Sequence, residues 1–390
     1  MKRYLETGNF AIAEAAAIAG CRLFAGYPIT PATEIAEEMS KKMPKIGGFY
    51  VQAEDECGAL HICIGGALGG LKAMTATSGP GYILYADPYG WAIGSEIPLV
   101  VVNSGRVGPV SGITGSPGQG EFYNVRYPTQ GGNYETIVLA PNCAQEAFEL
   151  VVEAFYLSER FRTPVTILAD QLITDGMEDI SIPETEDEIN EMGLRFKERE
   201  INHGPEFYPA TDEIDIPPVV LGHNTGALCS DWTPTEEGYD TEEIEAAHKH
   251  VYRLIYKIRN HKDLISRHEA LFMDDAPELV VVSYGTPSRV VKAAVKKARE
   301  KGMSVGALRL ISLWPFPDEL FTKKATYLSV EFNYDGQLVR EVQRACPKDS
   351  EVHFFGECGE LPKISVLLEI FQSLLDGEPI SAIKWEREAW

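Results

Sequence analysis

The chain has 390 residues, 44% of them hydrophobic and 24% charged, and carries a formal net charge of −23 from 58 acidic and 35 basic side chains. That length predicts two or three domains with separate cores. The acidity excludes a non-specific nucleic-acid binder, whose phosphate affinity would rest on Lys and Arg. No run of 18 apolar residues exists to span a membrane, and the start of the chain carries no apolar leader, so the expected compartment is the cytoplasm.

Asn9 reads as the cap of a helix over residues 10–19, stopped by Gly20. A strand over 21–25 runs into the loop Gly26-Tyr27-Pro28-Ile29-Thr30. Thr30 as cap and Pro31 as first helical residue then open a helix to about Lys42. A strand over 48–52 leads into a helix over 54–69, and a strand over 71–76 ends in Thr77-Ser78-Gly79-Pro80-Gly81. A helical stretch to Gly94, a nearly all-apolar strand over 97–103, a strand over 136–139, a helix over 144–158 and a strand over 164–169 follow. Strands apolar on both faces that alternate with helices predict a doubly wound parallel sheet in an α/β domain over 1–175.

Residues 176–276 form an acidic connector and a helix. Between Asp175 and Glu245 there are 21 acids against three basic residues, Arg195, Lys197 and Arg199, which reads as a solvated, irregular segment or a docking surface for a basic partner. The helix is expected over 241–271, on an apolar stripe at Ile244, Val251, Leu254 and Ile258. From 277 to 390 the alternation resumes in a second, smaller α/β domain, with strands over 279–283, 304–310, 325–331 and 352–355 and helices over 288–301, 338–345 and 364–375.

The seven cysteines are scattered singly without any Cys-x-x-Cys, which excludes zinc ribbons and ferredoxin-type cluster motifs and suggests reduced, mostly buried thiols. His248 and His250 are two apart on a helix, no His-x-x-x-His pair exists, and no metal is expected on this chain.

In an open parallel sheet, ligands bind beyond the carboxyl ends of the strands. Four loops fall there: Gly26–Pro31, Gln52-Ala53-Glu54-Asp55-Glu56, Thr77–Gly81 and Ser104-Gly105-Arg106-Val107-Gly108-Pro109. They bring a carboxylate, a guanidinium and several hydroxyls to one rim. Each also has a structural reading: Thr30 as a helix cap, Glu54 as a first-turn acid, Arg106 as a surface residue and Ser-Gly-Pro-Gly as a tight turn. None has the glycine spacing of a dinucleotide or phosphate loop.

Together these loops resemble the α subunit of 2-oxoacid:ferredoxin oxidoreductases, closest to the 2-oxoglutarate type. The resemblance extends through Gly8-Asn9, Glu34-Ile35, Glu96-Ile97-Pro98, Glu331-Phe332-Asn333 and Gly336-Gln337-Leu338. It implies a thiamine pyrimidine-binding domain followed by a transketolase C-terminal-like domain, with thiamine diphosphate shared with a partner. No Gly-Asp-Gly diphosphate motif occurs here, so the diphosphate and Mg2+ belong to a β subunit and [4Fe-4S] clusters to partner chains such as γ or δ subunits. The implied reaction is oxidative decarboxylation of a 2-oxoacid with CoA, the electrons passing to ferredoxin. In the family a glutamate hydrogen-bonds ring N1′ and promotes the imino tautomer that removes the C2 proton. Glu54 matches that glutamate by position, with Glu56 as the alternative. Thr30 matches a substrate-contacting threonine and Arg106 a substrate-carboxylate arginine, while Tyr27, Pro28, Ile29 and Ser78 match cofactor-binding positions. Val110–Gly115 and Gly131-Gly132 depart from the family's usual continuation, in segments expected to shape the substrate pocket. Pyruvate and branched-chain 2-oxoacids are therefore alternative substrates. A thiamine-dependent half-enzyme without electron transfer and a non-catalytic scaffold are the other readings.

Overall fold

In a computed structural model that describes residues 1–222 and 226–382, the predicted alternation resolves into two parallel sheets with helices on their faces. The last eight residues of the 277–390 segment and a tripeptide of the connector lie outside the described residues. The chain opens with β1 (Lys2–Thr7), α1 (Gly8–Ile18), β2 (Cys21–Gly26), α2 (Thr33–Lys42), β3 (Phe49–Gln52), α3 (Glu56–Leu68) and β4 (Lys72–Thr77). The short α4 (Gly79–Leu84), α5 (Ala86–Gly94) and β5 (Leu99–Val107) come next. β6 (Ile113–Pro117) folds back antiparallel on β5 and leads to α6 (Phe122–Arg126), β7 (Ile137–Leu139), α7 (Ala144–Phe161), β8 (Pro164–Asp170), α8 (Gln171–Thr174) and β9 (Met177–Ile182). After α9 (Glu186–Glu191) and irregular chain comes α10 (Ile244–Arg259). The second unit runs β10 (His268–Leu271), β11 (Leu279–Ser283), α11 (Pro287–Glu300), β12 (Val305–Leu310), β13 (Ser312–Trp314), β14 (Thr326–Glu331), α12 (Leu338–Ala345), β15 (Glu351–Gly356) and α13 (Ile364–Leu375).

The first sheet has the order β13-β7-β8-β5-β4-β2-β3, and the second β10-β12-β11-β14-β15. Within each, neighbours run parallel except at β13 and β10, which pair antiparallel. The period-2 pattern of a strand explains how one apolar run serves two faces. Val100 and Val102 join the core built by α1 and α7, while Leu99 and Val101 join the opposite core with α3 and α5. The latter core continues into the second unit through Val280, Val282, Leu308 and Trp314. β13 itself extends the first sheet, so the units share both a core and a ladder.

Five local expectations change. Thr7, not Asn9, caps α1, its hydroxyl accepting from Phe10 N at 3.2 Å, and Asn9 is buried within the helix. The helix after the Tyr-Pro-Ile-Thr-Pro loop begins at Thr33, so Thr30 is not its cap. α3 begins at Glu56 and is capped by Asp55, which accepts from Gly58 N at 2.7 Å. The helix expected over 241–271 ends at Arg259, where the apolar stripe meets His261 and Lys262, and its tail is β10. β1, given no element from the sequence, and β9, read as connector, pair antiparallel with each other. Their apolar residues are too sparse to signal strands, and pairing with each other decides the conformation.

The acidic segment is strapped to the first unit rather than freely solvated. Arg199 pairs with Glu159 at 2.6 Å and Arg195 with Glu153, both acids on α7. Lys197 and Arg160 meet at Asp215, and Phe207, Tyr208, Val219 and Val220 are buried.

Candidate active site

β3, β2, β4 and β5 are parallel neighbours, so their carboxyl ends open on one edge. The loop after β2 is held there through its backbone. Ala53 N donates to Gly26 O at 3.0 Å, buried Asn9 Nδ2 donates to Pro31 O at 2.9 Å, and Arg106 Nη1 donates to Thr30 O. Thr30 and Arg106 therefore meet through the threonine's carbonyl. Tyr27, Pro28 and Thr30 are exposed and Ile29 is half-buried.

The two candidate glutamates separate clearly. Glu54 lies ahead of α3 and is exposed. Glu56, in the first turn of α3, is buried and faces the turn after β4. A Cβ at Gly81 would collide with Glu56 Oε1 and with Thr77 Oγ1, so only glycine lets this carboxylate approach the turn. Ser78, at the head of α4, is fully buried; its Oγ makes no cap bond and has no partner. A buried carboxylate beside the unpartnered Thr77 hydroxyl and a side-chain-free backbone fits a flat, hydrogen-bonding heterocycle such as an aminopyrimidine.

β5 is longer than predicted and carries Arg106 inside the strand, opposite Pro117 of β6. This hairpin returns the chain to the rim and places Glu121 beside Arg106. Arg106 is 4% exposed with an unpartnered Nε. Burial pulls its pKa below the usual guanidinium range, against the opposing pull of Glu121. Both line a cleft of about 750 Å³ with Gly79, Pro109, Val110 and Asn333. Val110, at the hairpin tip, sits at its mouth, whereas Gly131 lines a different cleft of about 750 Å³ near His61 and His250. Of the two departures from the family pattern, only the Val110 segment borders Arg106.

The second unit closes the cleft. Gln119 N donates to Phe332 O at 2.9 Å, its Oε1 accepts from Phe332 N at 3.1 Å, and its Nε2 donates to Tyr284 O at 3.1 Å. Asp170, at the end of β8, accepts from Thr286 N at 2.8 Å and Thr286 Oγ1 at 2.5 Å, and burial pushes its pKa up. Glu331 receives the backbone N–H groups of Gln337, Leu338 and Val339, each at 2.9 Å, and so anchors the start of α12. Glu96, from another resembling tripeptide, is a brace on the far side: it pairs with Arg253 at 2.8 Å and Lys257 at 2.9 Å, both on α10. Gln119, Glu121 and Asp170 escape sequence reasoning. Gln119 and Glu121 sit among glycines, and only the hairpin register brings them to the rim.

Two family models match in sequence. Residues 14–241 match "Pyruvate flavodoxin/ferredoxin oxidoreductase, thiamine diP-bdg", and residues 277–363 match "Pyruvate:ferredoxin oxidoreductase core domain II". The 2-oxoglutarate synthase subunit KorA of Methanocaldococcus jannaschii is 41% identical over 360 residues, covering 92% of this chain and 96% of that protein. The ketoisovalerate oxidoreductase subunit VorB of Methanothermobacter marburgensis is 34% identical over 354 residues, covering 88% of this chain and 90% of that protein. A solved 2-oxoglutarate:ferredoxin oxidoreductase from Magnetococcus marinus, with 2-oxoglutarate, coenzyme A and succinyl-CoA bound, superposes with a TM-score of 0.85 at 25% identity, over 95% of this chain and 65% of that one. A split-gene transketolase, at a TM-score of 0.54 and 11% identity, shares the fold. Among the described residues no helix is long and apolar enough to cross a membrane. With a thiamine diphosphate-binding first domain, the chain belongs to the 2-oxoacid:ferredoxin oxidoreductases, as an α-type enzyme subunit.

Proposed function

We propose that this chain supplies the pyrimidine side of a thiamine diphosphate site in a multi-subunit enzyme that converts 2-oxoglutarate and CoA to succinyl-CoA and CO2, with ferredoxin as electron acceptor. The observation that carries the reading is Glu56, buried against Gly81 in the first turn of α4 and on the same sheet edge as Arg106. When bound, the cofactor supplies the nucleophile for the oxo carbon and the electron sink for decarboxylation. Glu56, rather than exposed Glu54, holds the proton at ring N1′. Ser78 offers its free hydroxyl, exposed Tyr27 and Pro28 with half-buried Ile29 form the lip that a partner completes, and Thr30 borders the substrate. Arg106 pairs with a substrate carboxylate through the part of its guanidinium not engaged by Thr30 O. A β subunit brings the diphosphate site with Mg2+, and partner chains bring the [4Fe-4S] clusters that pass electrons on.

A branched-chain 2-oxoacid is the second reading, favoured by the apolar mouth of Pro109 and Val110 and by the likeness to a ketoisovalerate enzyme. CoA-dependent dye reduction by the purified complex across a panel of 2-oxoacids tests both. The expected result is highest kcat/KM with 2-oxoglutarate. Preference for 2-oxoisovalerate would move the assignment to the second reading, and no 2-oxoacid activity would end both.

A further inference from the structure

Among the described residues, Glu121 is the one acid of the cleft left with a bare buried oxygen. It is 6% exposed, and its Oε2 has no hydrogen-bond partner. Gly79 and Gly105 make room for it: a Cβ built on either would stand 3.3 Å from one of its carboxylate oxygens. The groups facing it come from several elements. Arg106 on β5 supplies the favourable charge, and the Tyr284 phenol beyond β11 feels the Glu121 charge while its own hydroxyl is buried without a partner. Asp335 and Cys358 line the same cleft from the second unit.

Where Glu121 is ionised, its carboxylate balances the Arg106 guanidinium in the free protein. A substrate carboxylate arriving at Arg106 makes two negative charges share one positive charge in a site poor in water, and like charges at such range cannot both persist cheaply. We propose that Glu121 takes up a proton from solvent when an anionic carboxylate docks at Arg106, keeping the cleft neutral and turning Oε2 into a hydrogen-bond donor toward the bound acid. The inference rests on the reading of this cleft as the 2-oxoacid site. Burial already pushes the Glu121 carboxyl up to about 7, so the proton is within reach near neutrality. The residue tunes and orients the anion, and the thiamine-side chemistry stays with Glu56.

The test is isothermal titration of the assembled complex with glutarate, a five-carbon diacid that lacks the oxo group and cannot be decarboxylated. Buffers of different ionisation enthalpy are compared at pH 8 and at pH 5.5. At pH 8 the heat should depend on the buffer, with uptake of roughly half to one proton per site, and at pH 5.5, where the Glu121 carboxyl is already protonated, no uptake should remain and any exchange should be release of glutarate's own proton. Affinity should fall up to about tenfold per pH unit above 7. In Glu121→Gln the uptake should vanish and the affinity should become nearly independent of pH. Buffer-independent heat in the wild type at pH 8, or unchanged uptake in Glu121→Gln, overturns the proposal and leaves the substrate reading standing. A complex that binds no glutarate and oxidises no 2-oxoacid removes the substrate reading and this proposal together. Should the variant not assemble, the wild-type difference between the two pH values decides alone.

Discussion

Two buried acids, Glu96 and Glu121, sit at opposite ends of β5 and do opposite things with their charge. Glu96 is over-supplied: Arg253, Lys257 and Arg162 surround it, and although burial pushes its carboxyl up, the three cations together hold it well below the usual range. Burial, with Arg253 alongside, pulls Lys257 below the usual ammonium range, against the pull of Glu96. Glu121 has its own and Gly120's backbone N–H groups and one cation, Arg106, and keeps a bare oxygen. A carboxylate with both oxygens bonded to Arg253 or Lys257 fixes α10 onto the first sheet. One left with a bare oxygen, opening on a cleft, is poised to meet a ligand. Partner count, rather than burial, separates brace from site.

The sharpest break between bracing and reacting acids is expected at Glu56. Glu56→Gln should lower kcat of the assembled complex by about 10²–10⁴-fold, the range for losing one positioned proton. Thermal unfolding should stay within a few degrees of wild type, because the amide keeps the shape that packs against Gly81. Glu54→Gln, at an exposed position, should leave kcat within about twofold on the same ground that a group outside the site holds no reacting proton. The opposite ranking of the two variants would restore Glu54 to the thiamine role.

Glu96→Gln should invert that pattern. Removing one partner from a buried ion cluster strands the others, at a cost of about 3–5 kcal/mol in unfolding free energy. Denaturant titration would register it, while the KM for the 2-oxoacid should not move in the enzyme that remains folded. Loss of substrate affinity with unchanged stability would place Glu96 in the site and erase the contrast with Glu121.

How far the sequence reveals these roles depends on whether a signal is local. The strands over 279–283 and 97–103 declare themselves by uninterrupted apolar runs, and helices over 338–345 and 364–375 appear where periodicity puts them. β1 and β9 do not, because each is a strand only through the other. At the site, the loop order predicts the shared rim. The choice between Glu54 and Glu56 turns on a two-residue difference in where α3 begins, fixed by the Asp55 cap, which periodicity cannot resolve. Glu121 depends on a hairpin register and on two distant glycines, neither of which leaves a pattern in the chain.

Glu121 also gives the comparison a pH axis. Its carboxyl moves from an ordinary 4.5 to about 7 on folding. Below the lower value it is protonated folded or unfolded, and burying it carries no ionic penalty. As pH rises through about 7 it becomes ionised in both states, and the folded chain bears the full cost of the buried charge. Its contribution to stability is therefore present at acid pH and lost by pH 8, by roughly 3 kcal/mol. Unfolding of Glu121→Gln should lack that decline, so that at pH 8 the variant is more stable than wild type. A variant less stable than wild type at pH 8 would mean that Glu121 is a satisfied structural acid after all.

The smallest expected effect distinguishes the two arginine environments. Arg253 gives its guanidinium to Glu96 and to the carbonyls of Thr211 and Glu213, so Arg253→Lys loses bonds that hold the fold. Arg106 spends one nitrogen on Thr30 O and leaves Nε unpartnered at the cleft, so its remaining capacity is directed at a ligand. An ammonium at position 106 can keep the Thr30 contact or reach a carboxylate, but it has no planar fork to do both. Arg106→Lys should therefore raise KM for the 2-oxoacid by about tenfold with kcat reduced less, since losing one limb of a charged two-point contact costs about 1.5 kcal/mol. Steady-state kinetics of both variants beside their melting temperatures reads this directly. If Arg106→Lys lowers the melting temperature as much as Arg253→Lys and leaves KM alone, the Arg106 guanidinium belongs to the scaffold, and the cleft loses its anion anchor.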